Sequence, residues 1–109
     1  MNATTQTFAV GWGGLDGPLL AGKAELGPTH LRLEAGAPDG RLRVRTLLYR
    51  DIVDVRRSRV GADRIRGRSA LILEPRAGES VRLTSLDVPG AIREIFERIA
   101  RARFPEAAA

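Results

Sequence analysis

Six arginines fall within residues 56–68, RRSRVGADRIRGR, and only Asp63 offsets them. Arginine presents a rigid fork of N–H donors that suits phosphate and carboxylate groups. Arg56, Arg57 and Arg59 would lie at the end of an extended run, and Arg64, Arg66 and Arg68 in the loop beyond it. Charge gathered in this way attracts an anionic bilayer, at about 1 kcal/mol per basic residue close to it. It also attracts nucleic-acid phosphates, with steep salt dependence. The plain alternative is a solvated sheet edge whose arginines deter pairing with other edges, and that reading leads.

Catalysis finds less to work with. Asp51 and Asp54 are three apart in a stretch of strand-like period, which sends them to opposite faces unless a turn intervenes. Arg50, Arg56 and Arg57 are near enough in sequence to neutralise them. Ser58, Ser69 and Ser85 stand in no motif, and His30 is the single histidine available as a base. Without cysteine there are no disulfides and no thiolate metal sites. The expectation is a protein that is not an enzyme, with no cofactor, no metal and no small-molecule substrate.

The 109 residues carry a net charge of +5, and every basic residue except Lys23 is arginine. A GC-rich genome produces that imbalance without any site, so the excess speaks first to solubility and weak association with anions. No stretch is apolar for long enough to span a bilayer, and MNATTQTFAV lacks the pattern of a signal peptide. A cytoplasmic protein is expected. The lipid reading would add a peripheral place at the inner face of the membrane.

The elements that must position these residues are short. Residues 1–18, with the glycine-rich VGWGGLDGP, read as an irregular lead-in, with Trp12 packed on the mouth of a barrel. From Leu19 the period is two. LLAGKAEL and HLRLEA are strands around the turn GPT, and GAPDG is a strong turn signal. RLRVRTLLY alternates with Leu42 and Val44 inward and Arg41, Arg43 and Arg45 outward, until Leu47, Leu48 and Tyr49 break the pattern. DIVDVRRSRV, SALILEP and SVRLTSL complete a series of evenly spaced strands, which argues for an antiparallel barrel or sandwich. Ile92, Ile95, Phe96 and Ile99 then form a helical stripe. Asp87 is placed to cap that helix, and Glu94–Arg98 and Glu97–Arg101 to support it. Residues 105–109 form a loose tail.

Antiparallel strands followed by one amphipathic helix leave an open end of core for the helix to plug. This order resembles the pleckstrin-homology-like superfamily, in particular its small bacterial PH-like and GRAM-like domains. The resemblance rests on AELGPTHLRLEAG, LLYRDIVDVRRS, SALILEPRAGESVRLTSLD and PGAIREIFERIARARF, and it spans residues 19–104. It implies a mainly β fold: an antiparallel barrel of six to seven strands capped by the C-terminal helix.

Phosphoinositide-binding members of that superfamily carry a basic residue on the first strand and two more, spaced by one residue, on the second. Lys23, His30 and Arg32 fall at those places. His30 stands where a permanent cation is usual, and the connecting turn LGPT is short and uncharged. These three therefore read first as outward residues of a solvated hairpin. The resemblance implies a binding or scaffolding module, with a partner protein or self-association ahead of anionic lipid headgroups. The alternative is a basic nucleic-acid-binding small β-barrel. Against it stand the few rings available for base stacking, Trp12, Tyr49, Phe8, Phe96 and Phe104, of which Phe96 belongs to the helix stripe.

Overall fold

The computed structural model describes residues 5–58, 69–87 and 90–104. They form seven antiparallel strands and one helix. The strands are β1 (Gln6–Gly14), β2 (Leu20–Leu26), β3 (His30–Gly36), β4 (Leu42–Leu48), β5 (Ile52–Ser58), β6 (Ala70–Pro75) and β7 (Val81–Ser85). A single 3-10 turn, Tyr49–Asp51, separates β4 from β5, and the helix α1 spans Ala91–Arg103. The strand order in the sheet is β4-β3-β2-β1-β7-β6-β5. The sheet curls into a half-barrel whose two edges, β4 and β5, adjoin in sequence but do not pair.

The turns follow from their residues. Gly40 and Gly78 take φ of 82° and 90°, a region that favours glycine, and each sits in a tight strand connection. In the first of these, the Arg41 N–H donates to Asp39 Oδ1 at 3.0 Å. Between β4 and β5 the Tyr49 hydroxyl donates to the Gly27 carbonyl at 2.8 Å and the Tyr49 N–H to the Thr29 carbonyl. These bonds anchor the end of β4 at the β2–β3 turn, and the 3-10 turn then carries the chain into β5 at the other edge of the sheet.

The helix closes the core as its stripe demands. Ile92, Ile95 and Ile99 are buried in one cluster with Val10, Trp12, Leu31, Leu33, Ile52, Leu71, Leu73 and Leu83, and Phe96 packs against its margin. α1 lies against β5, β6, β7 and the 3-10 turn. Ile52 stands opposite Pro75, which has no N–H, and its carbonyl accepts from Arg103 Nε at 2.7 Å. The helix thus holds the edge of β5 as well as the open core.

Four expectations from the sequence need correction. Residues 6–14 are not an irregular lead-in: they form a strand paired on both sides, with β2 and β7. Phe8, Val10 and Trp12 keep the period of two, and a glycine just beyond them permits a close neighbour. Gly13 lies where a Cβ would overlap the Pro18 carbonyl. Secondly, Asp87 does not cap α1. Its N–H donates to Ser85 Oγ, and Gly90 occupies the cap position without a side-chain bond. Thirdly, Glu97 pairs with Arg93 at 3.0 Å, one turn before it, rather than with Arg101.

The fourth correction concerns β4. Leu42 and Val44 are 63% and 46% exposed. They stand opposite Gly36 and Glu34 and share the outer face, while Arg43 and Arg45 stand opposite Ala35 and Leu33 and share the concave face. The buried Leu47 and Tyr49 have the same parity as the arginines, and they set the register.

Candidate functional site

Lys23 and Arg32 are occupied by carboxylates. Register places Lys23 opposite Glu34 and Glu25 opposite Arg32 on the outer face of β2 and β3. Lys23 Nζ lies 2.9 Å from Glu25 Oε1 and 3.2 Å from Glu34 Oε2. Arg32 Nη1 lies 2.8 Å from Glu34 Oε1 and 3.8 Å from Glu25 Oε1. The Lys23 hydrogen bond holds the Glu34 carboxyl below the usual range, with Arg32 adding to the effect and burial opposing it. Glu25 and then Glu34 raise the Lys23 ammonium in turn. The four charges cancel, as cross-strand pairs of opposite sign do. His30 is half-buried at the start of β3, with Nδ1 3.3 Å from Thr29 Oγ1.

Arg56 and Arg57 do not converge. Arg56 is exposed opposite Ile72, and Arg57 is half-buried opposite the core residue Leu71, so adjacent arginines take opposite faces of β5. Arg59, Arg64, Arg66 and Arg68 lie outside the described residues. No turn intervenes between Asp51 and Asp54: Asp51 closes the 3-10 turn, and a bulge in β5 lies between the two.

The concave face offers a site that the alternation concealed. A cleft of about 750 Å³ opens among three connections: Leu15–Pro18 after β1, Pro38 before β4, and Glu79–Ser80 before β7. Its floor is apolar, with Trp12, Leu20 and Val81, and its rim carries Arg43, Arg45, Asp16 and Glu79. Arg45 reaches across the opening, where Nη2 donates to the Glu79 carbonyl at 2.9 Å. Trp12 is almost wholly buried, and Nε1 donates to the Glu34 carbonyl at 2.9 Å. Arg82 Nη2 donates to the Gly17 carbonyl at 3.3 Å and steadies the connection after β1. An apolar floor with a few charged groups of both signs suits a peptide side chain better than a bare phosphate.

The sequence contained a signal for this cleft. The apolar parity of β4 changes between Val44 and Leu47, and following Leu47 backwards would have turned Arg43 and Arg45 inward. A second, smaller cleft of about 260 Å³ at the other end of these strands is lined by Pro28, Tyr49, Arg98 and Arg101.

A curled antiparallel sheet with a C-terminal helix plugging its core defines a pleckstrin-homology-like fold, and solved structures bear that out. The Vps36 N-terminal PH domain superposes with a TM-score of 0.69 at 17% identity, over 100% of this chain and 83% of that one. The C-terminal domain of an unknown protein from Leishmania infantum superposes with a TM-score of 0.66 at 15% identity, over 89% and 84%. No family model matches the chain, and no curated protein does. At these identities the likeness is one of fold.

Proposed function

We propose that the chain is a non-catalytic binding module that receives a partner protein at the cleft between the β1–β2, β3–β4 and β6–β7 connections. One observation carries this reading: an apolar floor of Trp12, Leu20 and Val81 lies within a cleft that Arg43, Arg45, Asp16 and Glu79 also line. Folds of this kind typically serve as binding modules rather than catalysts. The apolar floor favours a protein over an anionic headgroup, and Asp16 and Glu79 on the same rim add negative charge that a phosphate would have to meet.

The test is capture with the immobilised full chain, comparing wild type with Leu15→Glu. Leu15 is an exposed residue of the cleft wall, so its replacement leaves the core intact. A specific partner retained by wild type and lost by the variant supports the reading. A partner retained equally by both moves the site elsewhere. Sedimentation with anionic and neutral vesicles tests the lipid alternative, which draws on the arginines of residues 56–68. Equal recovery with both kinds of vesicle at low salt removes it.

A further inference from the structure

The two sheet edges differ in what covers them. β5 is held by α1 through Arg103, whereas among the described residues β4 pairs only with β3. The backbone direction along β4 can be assigned. The Ala37 N–H donates to the Arg41 carbonyl at 2.8 Å, and the Tyr49 N–H to the Thr29 carbonyl at 3.1 Å. With the register unbroken between them, Arg41, Arg43, Arg45, Leu47 and Tyr49 direct their backbone groups at β3. The N–H and C=O groups of Leu42, Val44 and Thr46 therefore point away from β3, to an edge that no other described strand pairs, and all three residues are exposed.

This edge has two chemically distinct faces. Leu42 and Val44 present apolar surface on the outer face. Arg41, Arg43 and Arg45 follow the concave face. Among the described residues neither the Arg41 nor the Arg43 guanidinium forms an ion pair with a carboxylate, and β4 itself contains no acidic residue.

We propose that β4 accepts an extended acidic segment of a partner protein as an added strand, with side chains that alternate between apolar and carboxylate. Added strands draw affinity from backbone hydrogen bonds and specificity from alternate side chains. Apolar residues of the segment lie beside Leu42 and Val44, and carboxylates beside Arg41, Arg43 and Arg45. A second copy of the chain fits less well in the register that pairs Leu42, Val44 and Thr46 with their counterparts. Antiparallel pairing of β4 with itself about Val44 sets Arg43 opposite the Arg45 of the other copy, and like charges so placed repel. The inference rests on the binding-module reading and names the kind of segment that such a module takes.

The probe is a short capped peptide of alternating valine and glutamate. It is compared with a valine–lysine peptide and with an isomer whose valines and glutamates are grouped in blocks. Each is titrated into the full chain and followed by amide NMR. The valine–glutamate peptide is expected to shift the amides of Leu42, Val44 and Thr46 and to slow their hydrogen exchange about tenfold. The other two peptides bind about tenfold more weakly. The variant Arg41→Glu/Arg43→Glu reverses the preference toward the lysine peptide. If that variant loses the wild-type spectrum, N-methylation of alternate peptide residues decides instead, because it removes the pairing N–H groups and must abolish binding. Absence of saturable binding overturns the proposal, as does equal binding of both charged peptides. Shifts confined to residues 12–20 overturn the edge and leave the cleft reading standing, whereas the Leu15→Glu comparison addresses the cleft alone. Molecular size that grows with concentration and is abolished by Val44→Pro makes a second copy the occupant, and that also overturns it.

Discussion

The Trp12 indole on β1 donates its Nε1–H to the carbonyl of Glu34 on β3, at 2.9 Å, across the intervening strand β2. That carbonyl leans over Gly22, where a Cβ would overlap it. On the outer face the Glu34 side chain meets Lys23 and Arg32. One residue of β3 thereby ties three strands together on both faces of the sheet, beneath the floor of the cleft.

Gly22→Ala is predicted to destabilise the protein by about 1–3 kcal/mol, the usual range for forced overpacking. The three atoms nearest the new methyl are all backbone and cannot swing aside. Gly36→Ala is the control, since a Cβ there meets nothing within 4 Å. Urea unfolding of the two variants should show a lowered midpoint for the first alone.

Tyr49→Phe should cost about 1–3 kcal/mol, because it strands the Gly27 carbonyl that the hydroxyl now satisfies. The variant also bears on pH. Burial pushes the Tyr49 phenol above its ordinary value, and Arg98 opposes this in part. A group raised by folding stabilises fully below its unfolded value, and that contribution is lost as pH rises. Wild type should therefore lose stability above about pH 10 more steeply than Tyr49→Phe in thermal melts across alkaline buffers.

The ion quartet of Lys23, Glu25, Arg32 and Glu34 should give a small, salt-sensitive acid dependence. Glu34 is held low by Lys23, so its contribution is present above the unfolded value and is lost as pH falls through the folded one. Glu34→Gln should flatten that acid limb of the melting temperature. At about 1 M salt, where screening acts over about 3 Å, the two proteins should differ less. Lys23, raised by its partners, loses its contribution only at the alkaline extreme.

Ile95→Ala should cost about 2–5 kcal/mol and Ile95→Val about 0.5–1.5 kcal/mol. Ile95 is fully buried among residues of the curled sheet, so its truncation leaves a void where the helix closes the core. Chemical denaturation measures both. A cost near zero for Ile95→Ala would mean that the helix does not act as the stopper.

Much of the fold was legible because local periodicity reports burial wherever one face is dry. Leu31 and Leu33 on β3, Val81 and Leu83 on β7, and the stripe of Ile92, Ile95 and Ile99 all point where their spacing says. β1 was obscured because its glycines lower strand propensity, although Phe8, Val10 and Trp12 keep the alternation. The cleft was obscured for a different reason. At the mouth of a half-barrel the concave face is open to water, so Arg43 and Arg45 lie there without the cost of burial, and polarity no longer tells inside from outside.

The sequence by itself determined a mainly β chain, its turns and its closing helix, since each of these depends on residues close together along the backbone. Only the tertiary structure decided which face of β4 carries the arginines, which carboxylates hold Lys23 and Arg32, and which strands end the sheet. Those outcomes depend on register between strands, and register is set by neighbours that local spacing does not name.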